Sequence, residues 1–168
     1  MITRREKPED ISAIRFVNEQ AFCGSGEANA IEQLRARDAV TLSLVAVIDN
    51  RVVGHLLFSP VTIESPEQSW PAVGLAPLSV LPDSQRQGIG TALMNAGLDE
   101  CRRLGYERVV VLGHAEYYPR FGFVPAYPHG ITNEFGVMGD AFMILELRPG
   151  AFEGITGVAK YQPEWNGA

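Results

Sequence analysis

The chain has little cysteine and little histidine. Its 168 residues include two cysteines, Cys23 and Cys101, which lie far apart and form no Cys-x-x-Cys pair. The three histidines, His55, His114 and His129, lack the paired spacing of metal ligands. We therefore expect no metal site and no disulfide framework, and this cysteine usage fits a reducing compartment.

Long apolar runs and positive charge are also scarce. No apolar stretch approaches the roughly 20 residues of a membrane span. The mixed-charge opening Met1–Asp10 is not followed by the apolar segment of a secretory signal. We therefore expect a cytoplasmic protein without a membrane partner. The 14 basic residues against 20 acidic residues give a net charge of −6, which argues against a nucleic-acid partner because such proteins usually carry a basic face.

The hydrophobic content is high enough for a full core. Hydrophobic residues make up 46% of the chain and charged residues 20%, which is typical of a globular protein. We expect one domain over residues 1–168. The segment 148–168 carries Phe152, Ile155, Tyr161 and Trp165 and is too apolar for a disordered end. We expect this tail to pack on the domain.

Hydrophobic spacing predicts seven strands and four helices in the order β-α-α-β-β-β-α-β-α-β-β. The predicted strands are Ile2–Glu6, Thr41–Ile48, Val52–Ile63, Val73–Leu81, Arg108–Leu112, Phe121–Val124 and Asp140–Leu147. The predicted helices are Pro8–Phe22, Glu27–Arg37, Gly88–Leu104 and Ala115–Arg120. This order indicates a mixed α+β domain around one sheet.

Pro77 interrupts the predicted strand Val73–Leu81. Proline cannot donate to a central ladder, so its position indicates a bulge. A bulge there would separate this strand from the next one and open a V-shaped gap for an extended ligand. The alternative is a strand irregularity without a binding role.

The segment from Leu78 to Thr91 reads as a strand, a polar turn and the first turn of a helix. The first amide N–H groups of a helix have no partner inside it, and the helix dipole adds partial positive charge there. Gly88 and Gly90 leave the approach to these amides open. The segment therefore predicts a phosphate-binding site.

Two known phosphate motifs do not fit this segment. A dinucleotide fingerprint requires a third glycine at position 93, where Leu93 stands, and no Gly-Lys-Ser/Thr follows as a P-loop requires. Two elements do match a family. Gln85-x-x-Gly88-x-Gly90 follows an apolar strand, and Tyr118-Pro119-Arg120-Phe121-Gly122-Phe123 lies one helix and one strand later.

Together these elements resemble the acetyl-CoA signature and the Tyr-x-x-x-Gly-Phe element of the GNAT N-acetyltransferase superfamily. The resemblance extends over most of the chain. The chain is similar to a branch of small bacterial acetyltransferases whose glycine-rich tail ends in a tyrosine-containing strand, here Gly154–Tyr161. His114 departs from that branch, in which an aspartate is expected at this position.

The resemblance implies the GNAT fold, with one central, mostly antiparallel twisted sheet flanked by helices. It also implies that acetyl-CoA is the cosubstrate and that a primary amine of a small molecule or peptide attacks the thioester directly. By the same resemblance, backbone groups of Leu78, Ser79 and Val80 would hold the pantetheine arm and the acetyl oxygen. The pyrophosphate would lie on the turn and helix start formed by Gln85, Arg86, Gln87, Gly88, Ile89, Gly90 and Thr91.

The resemblance makes Tyr118 the candidate general acid, because an unperturbed phenol titrates near pH ~10 and still carries its proton at neutral pH. The alternative is an aromatic residue that only packs on its neighbours. Glu27 is the candidate base, with ordered water as the alternative, and a glutamate at a helix start also suits the dipole. Glu64 and His55 are further options for the base. Arg86 and Arg120 are the candidate cations for an anionic ligand.

Other functions stay open at this point. A GNAT-like domain could bind or sense CoA without transferring an acyl group. A transferase could also prefer an acyl group longer than acetyl. The binding site of the acceptor would be shaped by the loops 23–30, 64–71 and 127–140, whose conformations the sequence does not predict. The sequence is compatible with a homodimer.

Overall fold

The computed structural model describes all residues from 1 to 168 and contains nine strands and three α-helices. The strands are β1 Ile2–Arg5, β2 Leu42–Ile48, β3 Arg51–Glu64, β4 Ser69–Val80, β5 Arg108–Leu112, β6 Val124–Pro125, β7 Ile131–Asn133, β8 Phe142–Glu146 and β9 Gly157–Lys160. The helices are α1 Ile11–Phe22, α2 Gly26–Ala36 and α3 Ile89–Arg103. None of these helices has the length and hydropathy needed to cross a membrane.

All nine strands belong to one sheet. The main path runs β1-β2-β3-β4-β5-β8-β6, and its neighbours are antiparallel except for the parallel pair β4 and β5. β9 pairs antiparallel with the end of β3 and parallel with β7. The predicted mostly antiparallel sheet is therefore confirmed.

The helices cover the two faces of this sheet. A Cβ atom built at Gly54 would lie 3.0 Å from side-chain carbons of Ile89 and Leu93, so this side of β3 faces α3. Leu57 packs instead with Leu34 of α2. Because successive residues of a strand point to opposite faces, α2 lies across the sheet from α3.

α3 begins and ends as its sequence predicts. Gly88 precedes it in the left-handed conformation, with φ of 83°, and no side chain caps the first turn. Its last turn carries Arg102 and Arg103, which suit the negative end of the helix dipole. Gly105 follows with φ of 90°, a conformation that glycine adopts readily. The local sequence therefore fixes where the positive end of α3 stands.

β4 separates from β5 halfway along its length. The two strands pair from Val73 with Val109 to Leu75 with Val111 and no further. β4 continues to pair with β3 up to Val80, with a register shift around Pro77. The predicted bulge is thus confirmed, and residues 76–80 have no strand partner on the side of β5.

Several element boundaries differ from the predictions. β4 begins at Ser69 rather than Val73, because a tight turn joins it directly to β3. In this turn the Ser65 amide donates to the Gln68 carbonyl at 2.9 Å. The helix predicted over 115–120 is a 3₁₀ turn over Tyr118–Phe121. The strand predicted to start at Phe121 covers only Val124–Pro125.

The tail packs against the face that carries α2. Phe152 and Ile155 are buried in a cluster with Val110 of the central strand β5. Trp165 donates its indole N–H to the Ser59 hydroxyl at 3.3 Å. The Glu164 carboxylate pairs with Arg37 at the end of α2, at 2.6 Å. These contacts place Tyr161 and Trp165 beside the point where β4 and β5 separate.

Candidate active site

A cavity of about 590 Å³ lies on the α3 face, at the gap between β4 and β5. Its lining residues are Leu78, Val80, Ser84, Gln85, Arg86, Gly88, Ile89, Gly90, Thr91, His114, Tyr117, Tyr118 and Arg120. This set includes two arginines and no carboxylate, in a chain whose acidic residues outnumber its basic ones by six. The cavity is therefore suited to an anionic ligand.

The loop before α3 turns its backbone toward this cavity. The Gln85 side-chain amide donates to the Val80 carbonyl at 3.0 Å and so ties the loop to the end of β4. Arg86 has φ of 63°, a rare conformation for a residue with a side chain, and Gly88 follows with 83°. The first amide N–H groups of α3 have no side-chain cap and can donate hydrogen bonds to an anion.

Gly90 allows the Tyr117 side chain to come close to the first turn of α3. A Cβ atom there would lie 3.0 Å from the Tyr117 hydroxyl, which lines the same cavity. Arg120 also contacts that tyrosine. Its Nε donates to the Tyr117 carbonyl at 3.0 Å, and its guanidinium carbon lies 4.5 Å from the ring centroid. Tyr117 therefore forms a wall of the cavity.

Tyr118 reaches the cavity from the 3₁₀ turn after β5. Only 7% of its surface is exposed, and its ring makes edge-to-face contacts with Tyr117 at 5.2 Å and Phe123 at 5.7 Å. Gly113 allows this position, because a Cβ atom there would lie 2.9 Å from the Tyr118 ring. Burial, and secondarily the nearby Tyr117, raise the pKa of Tyr118 to about 12. The hydroxyl therefore keeps its proton at neutral pH and can donate a hydrogen bond.

Ser79 turns its side chain away from this cavity. Its hydroxyl donates to the Asn18 side-chain oxygen at 2.9 Å, and the Asn18 amide nitrogen lies 3.1 Å from Nδ1 of His55. Nε2 of His55 lies 2.8 Å from the Ser43 hydroxyl. This buried row of four side chains joins α1, β2, β3 and β4. Only the backbone of Ser79 can therefore serve a ligand in the gap.

His55 cannot be the base considered from the sequence. It has no exposed surface, so a substrate cannot reach it. Burial, the largest cause, lowers the pKa of His55 to about 4, against the opposing effect of Glu6, and its ring is neutral at pH 7. Its two ring nitrogens are engaged by the Asn18 and Ser43 side chains. The residue has a structural role.

A second cavity lies on the opposite face of the gap. Its volume is about 180 Å³, and its lining residues are Leu75, Ala76, Leu112, Phe135, Tyr161 and Trp165. Three of these residues come from the loop after β7 and from the tail. The hydroxyl of Tyr161 is buried and has no hydrogen-bond partner in the protein.

Three carboxylates that could act as a base lie at different places in the structure. Glu27 lies in the first turn of α2 and lines neither cavity. Glu64 is exposed at the end of β3 and accepts a hydrogen bond from Thr62. Glu134, which sequence analysis did not identify, accepts the Tyr161 backbone N–H at 2.8 Å and precedes Phe135 of the second cavity. No sequence signal marks Glu134, since its loop conformation alone brings it there.

Comparison with known proteins gives one family. A sequence model described as the Acetyltransferase (GNAT) family matches residues 10–123. YhbS of Escherichia coli strain K12, named an N-acetyltransferase, is 35% identical over 167 residues, which are 99% of each chain.

Two solved structures are similar over nearly the full length. A crystal structure of YhbS from Escherichia coli in complex with CoA has a TM-score of 0.93 and 34% identity, and the match covers 98% of this chain and 91% of that one. A GNAT acetyltransferase from Brucella melitensis in complex with acetyl-CoA has a TM-score of 0.79 and 38% identity, with coverage of 97% and 96%. The chain belongs to the GNAT family of acetyltransferases.

Proposed function

We propose that this acetyltransferase moves the acetyl group of acetyl-CoA to a primary amine of a small molecule or peptide. The observation that carries this proposal is the cavity at the start of α3, which has two arginines, no carboxylate and a buried tyrosine at its inner end. Positive charge can hold an anionic thioester, and a tyrosine hydroxyl can donate a proton to its leaving group.

The cosubstrate is acetyl-CoA. The relatives that were solved with CoA and with acetyl-CoA match this chain over 98% and 97% of its length. The residues present fit such a molecule, because the uncapped amides of Arg86 to Thr91 suit its pyrophosphate. Arg86 and Arg120 add positive charge. The backbone of Leu78–Val80, which has no strand partner on the side of β5, suits the amides of the pantetheine arm.

We assign the proton donor to Tyr118. The amine nitrogen bonds to the thioester carbon, a tetrahedral oxyanion forms, and the carbon–sulfur bond then breaks with its electron pair on sulfur. A tyrosine hydroxyl at the inner end of the cavity can donate to that sulfur as negative charge develops. Its raised pKa, about 12, keeps it protonated throughout the physiological range.

The amine must lose one proton in the same reaction. Glu27 is our sequence-based candidate, and an ordered water that carries the proton to solvent is the alternative. Because Glu27 lines neither cavity, we expect water to make the first contact with the amine proton. Replacing Glu27 with glutamine tests this step: a fall in kcat of less than about tenfold supports water, and a fall of 10²-fold or more, roughly the contribution of a general base, supports Glu27.

Tyr118→Phe separates transfer from binding. The variant loses the donor oxygen, so kcat for amine acetylation should fall about 10²- to 10³-fold while the Kd for acetyl-CoA stays within about twofold. CoA release and the acetylated product measure the rate, and calorimetry measures the Kd. Tyr106→Phe is the matched control, since Tyr106 lies outside both cavities.

A second outcome would identify a binding module. If the wild-type protein binds acetyl-CoA but acetylates no amine in a broad panel, the transferase assignment is wrong and CoA sensing is favoured. Unchanged turnover in Tyr118→Phe would instead remove Tyr118 from the mechanism.

We propose the cytoplasm as the location, in keeping with the two free thiols Cys23 and Cys101.

A further inference from the structure

A buried row of polar side chains contacts β4 from the face opposite the larger cavity. Its members are Ser43, His55, Asn18 and Ser79, and none of them is more than 6% exposed. Buried polar groups have lost their water partners, so each of them needs a partner within the protein. The hydrogen bonds of the row show how this need is met.

These hydrogen bonds have one consistent direction. The Asn18 amide nitrogen lies 2.9 Å from the Ile14 carbonyl, which can only accept, and 3.1 Å from Nδ1 of His55. Nδ1 therefore accepts, and the proton of the neutral His55 ring is on Nε2, which donates to the Ser43 hydroxyl at 2.8 Å. The Asn18 oxygen accepts the Ser79 hydroxyl at 2.9 Å. Exchanging the oxygen and nitrogen of Asn18 would set two oxygens against each other, so the arrangement is unique.

The far end of the row is held by an ion pair. The Glu6 carboxylate accepts two hydrogen bonds from Arg35 of α2, each 3.0 Å long. Burial acts to raise the pKa of Glu6, but hydrogen bonds from Arg35 and from the Ser43 hydroxyl lower it overall. The row therefore begins at a charged pair whose position is fixed.

The near end of the row is Ser79, which lies between two residues of the larger cavity. Leu78 and Val80 line that cavity, and the Ser79 side chain points to the other face because successive residues of a strand alternate. Residues 76–80 have no strand partner on the side of β5, so β3 alone holds them in the sheet. The hydrogen bond to Asn18 is an additional support for this segment.

Asn18 is costly at its position in the chain. It lies inside α1, where an asparagine side chain competes for backbone hydrogen bonds and disfavours the helix. An apolar residue would fill the same core without needing any partner. A fully satisfied polar network instead specifies one arrangement of the elements that it joins. This favours a role in orienting β4 over a role in stability alone.

We propose that Asn18 is a positioning residue for acetyl transfer. By holding the Ser79 hydroxyl, it keeps the backbone of Leu78–Val80 in the arrangement that contacts the pantetheine arm and the thioester of acetyl-CoA. Groups that are ordered before binding give higher affinity, because the ligand does not have to order them. The inference rests on the proposed function, which assigns these parts of the ligand to Leu78–Val80.

Calorimetric titration with two ligands tests the inference without requiring an acceptor. One ligand is acetyl-CoA, and the other is adenosine 3′,5′-bisphosphate, which has the nucleotide of CoA but neither the pantetheine arm nor the thioester. In Asn18→Leu we expect the Kd for acetyl-CoA to rise about tenfold or more, while the Kd for the bisphosphate stays within about twofold of wild type. Loss of stability alone would not separate the two ligands.

Ser79→Ala is the milder variant and gives the same comparison if Asn18→Leu does not fold. It removes one hydroxyl and should raise the Kd for acetyl-CoA about threefold to tenfold. Ser59→Ala is the matched control. Ser59 is a fully buried serine of β3 that lines neither cavity, and its hydroxyl accepts a hydrogen bond from Trp165. We expect both Kd values to be unchanged in this control.

Three results would overturn the inference. An unchanged Kd for acetyl-CoA in the folded Asn18 and Ser79 variants would leave the row a structural role only. An equal rise for both ligands would indicate a general loss of structure. The same selective rise in Ser59→Ala would show that the effect does not belong to this row.

An acetylation assay with a panel of amines keeps this inference apart from the proposed function. If the wild type acetylates an amine but the variants show no selective change in affinity, the proposed function stands and the positioning role is refuted. If the variants lose affinity for acetyl-CoA selectively but the wild type acetylates no amine, the positioning role is supported and transfer is refuted.

Discussion

Tyr118 owes its chemical character to its surroundings. The motif that it shares with Gly122 and Phe123 predicted its position after a buried strand, and the structure places it at the inner end of the larger cavity. Its raised pKa could not be predicted, because burial against Phe123 and the contact with Tyr117 arise only in the folded chain. Its role as proton donor remains a prediction.

The raised pKa of Tyr118 predicts a wide alkaline range of activity. The hydroxyl must be protonated to donate, so its contribution is lost only as the pH rises through about 12. We expect kcat at saturating amine to show no decline between pH 7 and about 10, where an unperturbed phenol would already be half ionised. The pH dependence of kcat measures this. A decline with a midpoint near pH ~10 in the folded protein would show that the proton donor is not a tyrosine with a raised pKa.

Elements with strong local signals were predicted well. α3 was expected over Gly88–Leu104 and spans Ile89–Arg103, because its apolar face and its flanking glycines are encoded within one segment. The bulge at Pro77 was confirmed for the same reason. β7 was missed, since three residues carry no periodicity and its pairing with β9 depends on the whole fold.

Two glycines of α3 should respond differently to substitution. Gly90→Leu places a side chain against the Tyr117 hydroxyl at the ligand side, so the Kd for acetyl-CoA should rise about tenfold or more while the helix remains stable. Gly97→Ala is the matched control. A Cβ atom at Gly97 would lie 2.6 Å from Leu56, so overpacking should cost about 1–3 kcal/mol of unfolding free energy without changing the Kd.

Calorimetry and chemical denaturation measure the two effects separately. Unchanged acetyl-CoA binding in Gly90→Leu would show that the ligand does not approach the first turn of α3. A Kd that rises equally in both variants would indicate a general loss of structure rather than a local site.

Across the full chain, the family and the sheet were confirmed, whereas the buried polar row was missed. Ser43, Asn18, His55 and Ser79 come from four separate elements, and no spacing in the sequence links them. The smaller cavity was missed for a similar reason. It requires the tail and the loop after β7 to meet at the gap, and sequence periodicity gives no information on such long-range packing.

The buried His55 predicts a loss of stability in mild acid. Its folded-state pKa is about 4 against an ordinary 6.5, so the unfolded chain takes up the proton first. The contribution of the neutral His55 ring to the unfolding free energy is fully present above pH 6.5 and is lost as the pH falls toward 4. Integrating this difference gives about 2 kcal/mol of unfolding free energy lost between pH 7 and pH 5. Denaturation at the two pH values measures it.

His55→Gln should remove most of this pH dependence, although the variant is less stable at pH 7. The exposed His129 offers a control, since His129→Gln should keep the wild-type slope. An equal slope in wild type and His55→Gln would mean that another group titrates in this range.

We propose that the start of α3 holds the pyrophosphate of acetyl-CoA. Its most direct test is calorimetric titration of the wild-type protein with acetyl-CoA and, in parallel, with acetylpantetheine, which lacks the nucleotide and its diphosphate. We expect one-to-one binding of acetyl-CoA and binding of acetylpantetheine that is weaker by about 10²-fold or more. No binding of acetyl-CoA to the folded protein, or equal affinity for the two thioesters, would contradict it.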